Sequence, residues 1–286
     1  MRKCYCGSVD FDSLETKDYL YSGKRIFTYN ICKFCRSYYL NENENFPNNY
    51  NTNYYSLQTK REVKPNILRA LRFSSDSLFS DFLRFFKPLS IYDRYISKFL
   101  QNNKVTILDF GSGTSSYIKF LRAVGLTKTN SYSYDPYSKD NDTLTNFENI
   151  PFQEIDLIIS NQVLEHLESP EQVIDKLFFC CKEECDFIFS VPVSGYILNN
   201  YQQFSYTLQA PDHLSILSIH AWIKLISNSQ WKLISIVEDS QSKQGYIKKS
   251  ELFLRQSNMK LKDFNTRTSL DQVDNVIFHL KKVAHY

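Results

Sequence analysis

Three sets of residues in this chain have the types and spacing to do chemistry: a glycine turn flanked by acids, four N-terminal cysteines, and a handful of histidines. The turn lies in ILDFGSGTSSYIKFL, residues 107–121, which reads as a buried strand running through a glycine turn into a helix. Gly111 and Gly113 permit tight backbone geometry and close approach by a ligand. Such a turn can hold NAD, a nucleoside triphosphate or S-adenosylmethionine, in the crevice beyond the carboxyl ends of the strands. A dinucleotide fingerprint wants Gly or Ala at its sixth position, where Ser116 stands. No Lys-Ser/Thr pair follows the turn, which excludes a P-loop. Asp109 ends the strand, so its carboxylate is expected to face the crevice. A pyrophosphate there meets a like charge, whereas a cationic ligand is favoured. S-adenosylmethionine carries both an ammonium and a sulfonium. Asp135 ends the next strand in SYSYDPY, about 20 residues after the turn, where a carboxylate can accept hydrogen bonds from both ribose hydroxyls. That role fits NAD and S-adenosylmethionine equally, and an ordinary turn Asp before Pro136 would look the same.

Cys4, Cys6, Cys32 and Cys35 can form a four-thiolate zinc site if two knuckles are brought together by a short sheet. CKFC has good knuckle spacing. CYC is one residue short, and Lys3 stands where a first ligand would fall. Loss of the metal is the alternative. Four thiolates leave no open coordination position, so any zinc here is structural. Cys180, Cys181 and Cys185, at a helix–strand junction, are expected to act as small hydrophobes.

These groups need a scaffold, and 286 residues suffice for one large domain with a small appendage. A composition 42% hydrophobic and 15% aromatic indicates a globular chain. A formal charge of +3 is too weak to argue for nucleic acid or membrane partners. MRKCYCGSVDFDS lacks the apolar h-region of a signal peptide. No apolar run approaches the roughly 20 residues of a membrane span. The expectation is a soluble, cytoplasmic protein, in which seven cysteines serve as metal ligands or buried thiols more than as disulfides.

After a loop-like NENENFPNNYNTNYY and a helical pattern from about Pro65 to Leu100, broken at Pro88, strands and helices alternate. VTILDF, NSYSYD, EIDLIIS, CDFIFSVP and WKLISIVED read as strands. SSYIKFLRAVG, PEQVIDKLFFCCK and SIHAWIKLISNSQ read as helices. The tail offers one possible strand, SELFLRQ, and a helix from about Ser269 to Ala284. The expected architecture is α/β: a Rossmann-like, doubly wound, mostly parallel sheet with a small N-terminal cysteine-rich module. The expected boundaries are 1–45 for that module, 46–102 for a linker and helical segment, 103–256 for the cofactor-binding domain and 257–286 for a helical tail.

ILDFGSGTSSYIKFL, YSYDP, EIDLIISNQVLEHLESPEQVIDKL, FIFSVPVSGY and PDHLSILSIHAWIKLISNSQWKLISI occur in order. Together they resemble the class I S-adenosylmethionine-dependent methyltransferases. More narrowly, they resemble the branch with an N-terminal cysteine-rich knuckle, often linked to sugar and surface-polysaccharide biosynthesis. The resemblance implies that Asp109, Gly111 and Gly113 flank the methionine part of the cofactor and that Asp135 binds its ribose. It implies that Asn161 and Gln162 line the floor near the transferred methyl, and that the segment from Leu144 to Phe152 contacts adenine, with Asn146 in place of an acid. The chain departs from the pattern at Ser115, where the family turn has its third glycine. It departs again at Cys4–Cys6, where the family shows CxxCG, and at Arg36, where a glycine often follows the second knuckle.

Methyl transfer is an in-line displacement on an activated cofactor, so the protein mainly orients the reactants and removes a proton from the acceptor. Histidine is the natural base. His166, in LEHLESP, recurs in the family near the methyl; its plainer role is a loop-fixing hydrogen bond. His213, in PDHLSILS, follows the Tyr-rich GYILNNYQQFSYTLQA and stands where the family places a histidine facing acceptor or cofactor. Glu165 and Asp212 are second choices. His279 and His285 read as surface residues, and His220 as helix packing or surface. The expected reaction is methylation of a sugar, a nucleotide-linked sugar or a related small metabolite, with no membrane partner. An RNA base methyltransferase is a further reading, but the ten Lys or Arg against four acids between Lys60 and Lys104 are spread along helices. A non-catalytic scaffold is opposed by the intact GxG and its two crevice acids.

Overall fold

The computed structural model describes residues 3–18, 25–41, 90–100, 105–127, 130–239, 248–249 and 273–283. Its described strands form a four-stranded sheet of order β1 (Phe11–Lys17), β2 (Ile26–Cys32), β3 (Tyr38–Leu40) and β9 (Ser215–Ile216), and a seven-stranded sheet of order β10 (Lys232–Glu238), β11 (Asn275–Lys281), β8 (Cys181–Pro192), β7 (Ile155–Asn161), β4 (Ile107–Phe110), β5 (Tyr132–Tyr134) and β6 (Thr143–Leu144). By internal contacts the chain divides into two compact units. One comprises Met1–Pro47, Gln162–Ile174 and Ser190–Ile277; the other comprises Asn48–Asn161, Asp175–Phe189 and Phe278–Tyr286.

In the second unit, helix α1 (Ile91–Leu100) precedes strand β4 (Ile107–Phe110). Helix α2 (Ser116–Ala123), β5 (Tyr132–Tyr134), β6 (Thr143–Leu144) and β7 (Ile155–Asn161) follow. β4 pairs in parallel with β5 on one side and β7 on the other, and β5 pairs in parallel with β6. All four residues of β4 are buried, the near-continuous apolar run expected of a central parallel strand. The strand order reverses at β4, so the carboxyl ends of β4 and β7 mark the crevice where such sheets bind ligands. α2 ends as its sequence suggests. Gly125 takes φ 70°, its N–H donates to the Arg122 carbonyl, and the Leu126 N–H donates to the Leu121 carbonyl, a Schellman closure.

In the first unit, β1 (Phe11–Lys17), β2 (Ile26–Cys32) and β3 (Tyr38–Leu40) form an antiparallel meander. Its fourth strand is β9 (Ser215–Ile216), which pairs antiparallel with β3 although 176 positions separate Tyr39 from its partner Ser215. Phe27, Tyr29, Ile31, Tyr38 and Leu40 bury one face of the meander with Leu198, Leu208, Ala210 and Ile216. The Tyr-rich insert contributes Leu198 from helix α4 (Tyr196–Tyr201). Helix α5 (Ile219–Ser227) follows β9 and is capped by Ser218, whose Oγ accepts from the Ala221 N–H.

Helix α3 (Pro170–Cys180) passes directly into the long strand β8 (Cys181–Pro192), and β10 (Lys232–Glu238) follows α5. The expected tail helix is corrected: residues 275–281 form strand β11 (Asn275–Lys281), placed between β10 and β8. Lys282 N–H donates to the Cys185 carbonyl, and Val193 N–H to the Asp274 carbonyl, so β11 runs antiparallel to β8. NVIFHL is buried at every position, and a strand buried on both faces has an apolar run that periodicity alone does not separate from a helix. SELFLRQ, His285, the loop from residue 42 and the helical pattern before residue 90 lie outside the described residues. Among the described residues, no helix is long and apolar enough to cross a membrane.

Candidate functional site

The glycine turn is built as a cradle at the end of β4. Gly111 and Gly113 hold φ values of 76° and 56°, which an L side chain rarely adopts. Ser115, in the place of the family's third glycine, takes the left-handed conformation as well, at φ 57°. It is buried, and its hydroxyl meets that of Thr143. The N–H groups of Gly111 and Ser112 donate to the Tyr134 carbonyl at 2.8 and 3.0 Å, fastening the turn to β5. Asp135 closes the cradle: one carboxylate oxygen accepts from Gly113 N–H and the other from Tyr137 N–H, each at 2.9 Å. Burial raises its pKa against the lowering effect of those donors. Asp109 is buried, and desolvation, followed by the charge of Asp135, lifts its pKa to about 7. Phe110 stacks on Tyr134 at 5.2 Å, and Phe147 packs edge-on to both rings. Asn146 caps the 3-10 turn Phe147–Asn149, its Oδ1 accepting from Glu148 N–H. Asn161 ends β7 and is exposed.

In the first unit, Gln162 takes φ 57°, and its amide donates to Ser190 Oγ and Asn275 Oδ1. The chain then turns through Leu164–His166, and this 3-10 turn presents Glu165 and His166. Leu214 N–H donates to the Glu165 carbonyl, while Leu40 N–H donates to the Leu214 carbonyl. The Tyr29 hydroxyl lies 2.7 Å from the carbonyls of both Leu208 and His213. The N-terminal sheet therefore fixes the loop that carries His213. His213 Nε2 and His166 Nε2 each lie 4.0 Å from Glu165 Oε1, and the two imidazole rings are 4.8 Å apart. His166 Nδ1 sits 2.8 Å from the Asp212 carbonyl and His213 Nδ1 2.6 Å from that of Thr207. A carbonyl only accepts, so Nδ1 carries the proton in both rings and Nε2 keeps its lone pair. Burial lowers the pKa of His166 to about 4, pushes that of His213 well down, and raises that of Glu165 to about 8.

The four cysteine sulfurs also converge. Cys4, Cys6, Cys32 and Cys35 place their Sγ atoms within 4.8 Å of one another, with Cys4–Cys35 at 3.5 Å and Cys6–Cys32 at 3.6 Å. A zinc tetrahedron with bonds of about 2.3 Å has S–S edges of roughly 3.8 Å, so this donor set fits. Each knuckle closes with a main-chain hydrogen bond, reaching three residues back in the first and four in the second. Gly7 N–H donates to the Cys4 carbonyl and Arg36 N–H to the Cys32 carbonyl. Arg36 meets the demand of the missing glycine by adopting φ 61°. The hydroxyls of Tyr39 and Ser37 lie 3.1 Å from Cys4 Sγ and Cys35 Sγ. The hydrogen bond from Cys4 lowers the Cys35 thiol to about 4 and raises that of Cys4 correspondingly.

The other histidines separate cleanly. His220 is exposed on α5, edge-on to Phe34. His279 is corrected from surface to core: it lies in β11 with Nε2 2.7 Å from Asp186 Oδ1 and Nδ1 3.0 Å from the Tyr95 hydroxyl. Cys181 and Cys185 are buried free thiols, and Cys180 is half-buried. The sequence reading passed over the polar link at Asn275, whose amide donates to Ser190 Oγ and Asp239 Oδ2. A lone Asn at the head of an apolar run was its only signal.

A mostly parallel sheet with a glycine turn after β4 and acids at the ends of β4 and β5 defines a Rossmann-like, nucleotide-cofactor enzyme. Residues 59–236 match the model of the family described as the methyltransferase domain, and the chain belongs to that family. It is an S-adenosylmethionine-dependent methyltransferase. No curated protein matches the sequence. Among solved structures the chain is similar to a putative methyltransferase from Bacillus halodurans, with 10% identity, 64% of this chain and 94% of that one covered, and TM-score 0.45. It is similar to a putative S-adenosylmethionine-dependent methyltransferase from Listeria monocytogenes at 12% identity, 67% and 97% coverage, and TM-score 0.44. Geranyl diphosphate C-methyltransferase from Streptomyces coelicolor, solved with S-adenosyl-L-homocysteine, gives 10% identity, 67% and 76% coverage, and TM-score 0.46.

Proposed function

We propose that this enzyme methylates a hydroxyl of a sugar, a nucleotide-linked sugar or a related small metabolite. Asp109, Gly111 and Gly113 take the methionine part of the cofactor, Asp135 takes the ribose, and Asn161 with its neighbour Gln162 serves the transferred methyl. The acceptor oxygen attacks the methyl carbon, a C–O bond forms, and the C–S bond breaks with its electron pair passing to a neutral thioether. The acceptor's proton must leave. The observation that carries the reading is the convergence of Glu165, His166 and His213, two imidazole lone pairs and a buried carboxyl group within 4.8 Å of one another. Such a group activates a hydroxyl either by direct proton uptake at an imidazole Nε2 or through a cation held by all three residues. His166 and His213 are the catalytic residues on this reading. The sugar-like class is supported by the resemblance of the knuckle-bearing branch and by the insert packed against the N-terminal sheet.

Cys4, Cys6, Cys32 and Cys35 are assigned a structural zinc ion, which would cross-link β2 and the N-terminal turn. All seven cysteines are free, in keeping with a reducing cytoplasm.

The test is turnover with S-adenosylmethionine and a panel of nucleoside diphosphate sugars and free sugars, following S-adenosylhomocysteine release and the mass of the product. Acceptor-dependent release with a methylated sugar is the expected result. Binding of S-adenosylhomocysteine with no sugar methylated, and transfer to a short RNA instead, would overturn the acceptor class.

A further inference from the structure

Glu165 is a buried acid that no described residue satisfies. It is 1% exposed, and neither carboxylate oxygen has a hydrogen-bond partner. The Nε2 atoms of His166 and His213 both lie 4.0 Å from the same oxygen, and both are lone-pair acceptors by their tautomers. At that distance even a protonated carboxyl makes no hydrogen bond to either ring. Both oxygens of Glu165 are thus buried without a hydrogen bond, which costs several kcal/mol unless something electron-poor fills the space beside them.

We propose that Glu165, His166 and His213 bind a divalent first-row transition-metal ion. The ligand set argues for the class: two imidazoles and one carboxylate suit Zn2+, Fe2+, Mn2+ or Co2+, whereas Mg2+ and Ca2+ prefer all-oxygen shells. The support is already built. Each imidazole donates its Nδ1–H to a main-chain carbonyl, the outer-shell bond that fixes the tautomer of a metal-ligating histidine and raises its basicity. Both carbonyls lie in the segment that Tyr29 and Leu40 hold against the N-terminal sheet. A tetrahedral ion with bonds of about 2.1 Å spaces its ligands about 3.4 Å apart, so the two 4.0 Å edges from Glu165 Oε1 need to shorten by roughly half an ångström, and all three ligand atoms lie within 4.8 Å of one another. Three protein ligands leave at least one position open. The His166 side chain is 11% exposed against 2% for that of His213, so access is from the His166 side.

This inference deepens the proposed reading of the same three residues and rests on it only for the ion's purpose. Bound in the open position, an acceptor hydroxyl becomes more acidic and gives its proton to water, while the oxygen stays placed for the displacement. No redox change is involved.

The test uses the full chain with one equivalent of zinc per chain, which the four thiolates take first, and titrates Mn2+ by electron paramagnetic resonance. The expected result is one Mn2+ per chain, with pulsed spectra showing coupling to the nitrogens of two imidazoles. Glu165→Gln should weaken binding at least about tenfold. Titration with S-adenosylhomocysteine runs in parallel and should be unchanged in that variant, which also verifies its fold. The nitrogen coupling is read on the natural chain, so the proposal stays testable if Glu165→Gln does not fold. Absence of any ion beyond the cysteine-bound zinc overturns it, as does Mn2+ binding without nitrogen coupling. Failure to bind S-adenosylhomocysteine while Mn2+ still binds would strike the methyltransferase reading and leave the metal site standing.

Discussion

On the proposed reading, Asp109 and Asp135 share one cradle and take different parts of the cofactor. Asp135 is tied to Gly113 and Tyr137 through both oxygens, so it is oriented before any ligand arrives. Hydrogen bonds to a charged acceptor contribute about 1.5–3 kcal/mol each, so Asp135→Ala is expected to weaken S-adenosylhomocysteine binding about tenfold to a hundredfold by calorimetry. An unchanged affinity would remove Asp135 from the ribose site. Asp109 instead makes a pH switch. Burial and the charge of Asp135 hold it neutral below about pH 7 and anionic above. The ligand's ammonium prefers the anion, so affinity should rise with pH up to about 7 and then level off, by no more than about tenfold per unit. Asp109→Asn should bind more weakly and lose the slope. A flat profile in the natural chain would place the ammonium elsewhere.

At the scale of elements, the four-stranded sheet is where cysteine chemistry meets the histidine loop. A structural zinc contributes on the order of 10 kcal/mol to a small module, so its removal should melt that sheet rather than loosen it. Chelation, or Cys35→Ser, is expected to lower Tm, reduce the strand signal in circular dichroism and abolish metal binding at Glu165, His166 and His213. Metal analysis showing no zinc in a stable natural chain would refute the assignment. Ser218→Ala tests a smaller effect: loss of the α5 cap should cost about 1 kcal/mol in denaturant unfolding. The alternation from β4 to β10 was legible in sequence because parallel strands and amphipathic helices carry distinct periods, and Gly125 marked the end of α2. The turn at Gly111–Gly113 and the acid at Asp135 were legible for the same local reason. The pairing of β3 with β9 was not, because a two-residue strand far along the chain has no period to read. Nor was the orphaned state of Glu165, which depends on the tautomers of two rings fixed by distant carbonyls.

At the scale of the whole molecule, the last described strand decides the most. β11 lies between β10 and β8, so the order of the seven-stranded sheet is complete only when residues near the end of the chain have been added. Its apolar residues are fully buried, and Phe278 stacks on Phe189 of β8 at 5.1 Å. Asn275 supplies the polar register, joining Gln162, Ser190 and Asp239 through one amide. A chain truncated after Gln272 would leave β8 and β10 each with an unpaired, apolar edge, the hallmark of an aggregating species. It is expected to lose cooperative unfolding and to elute as aggregate on gel filtration. Phe278→Ala is the graded form of the same test. It should keep the fold but cost about 3–5 kcal/mol through the cavity it leaves, lowering Tm by roughly 6–15 °C. If the truncated chain stays monomeric and still binds S-adenosylhomocysteine, β11 is an accessory rather than the strand that completes the sheet.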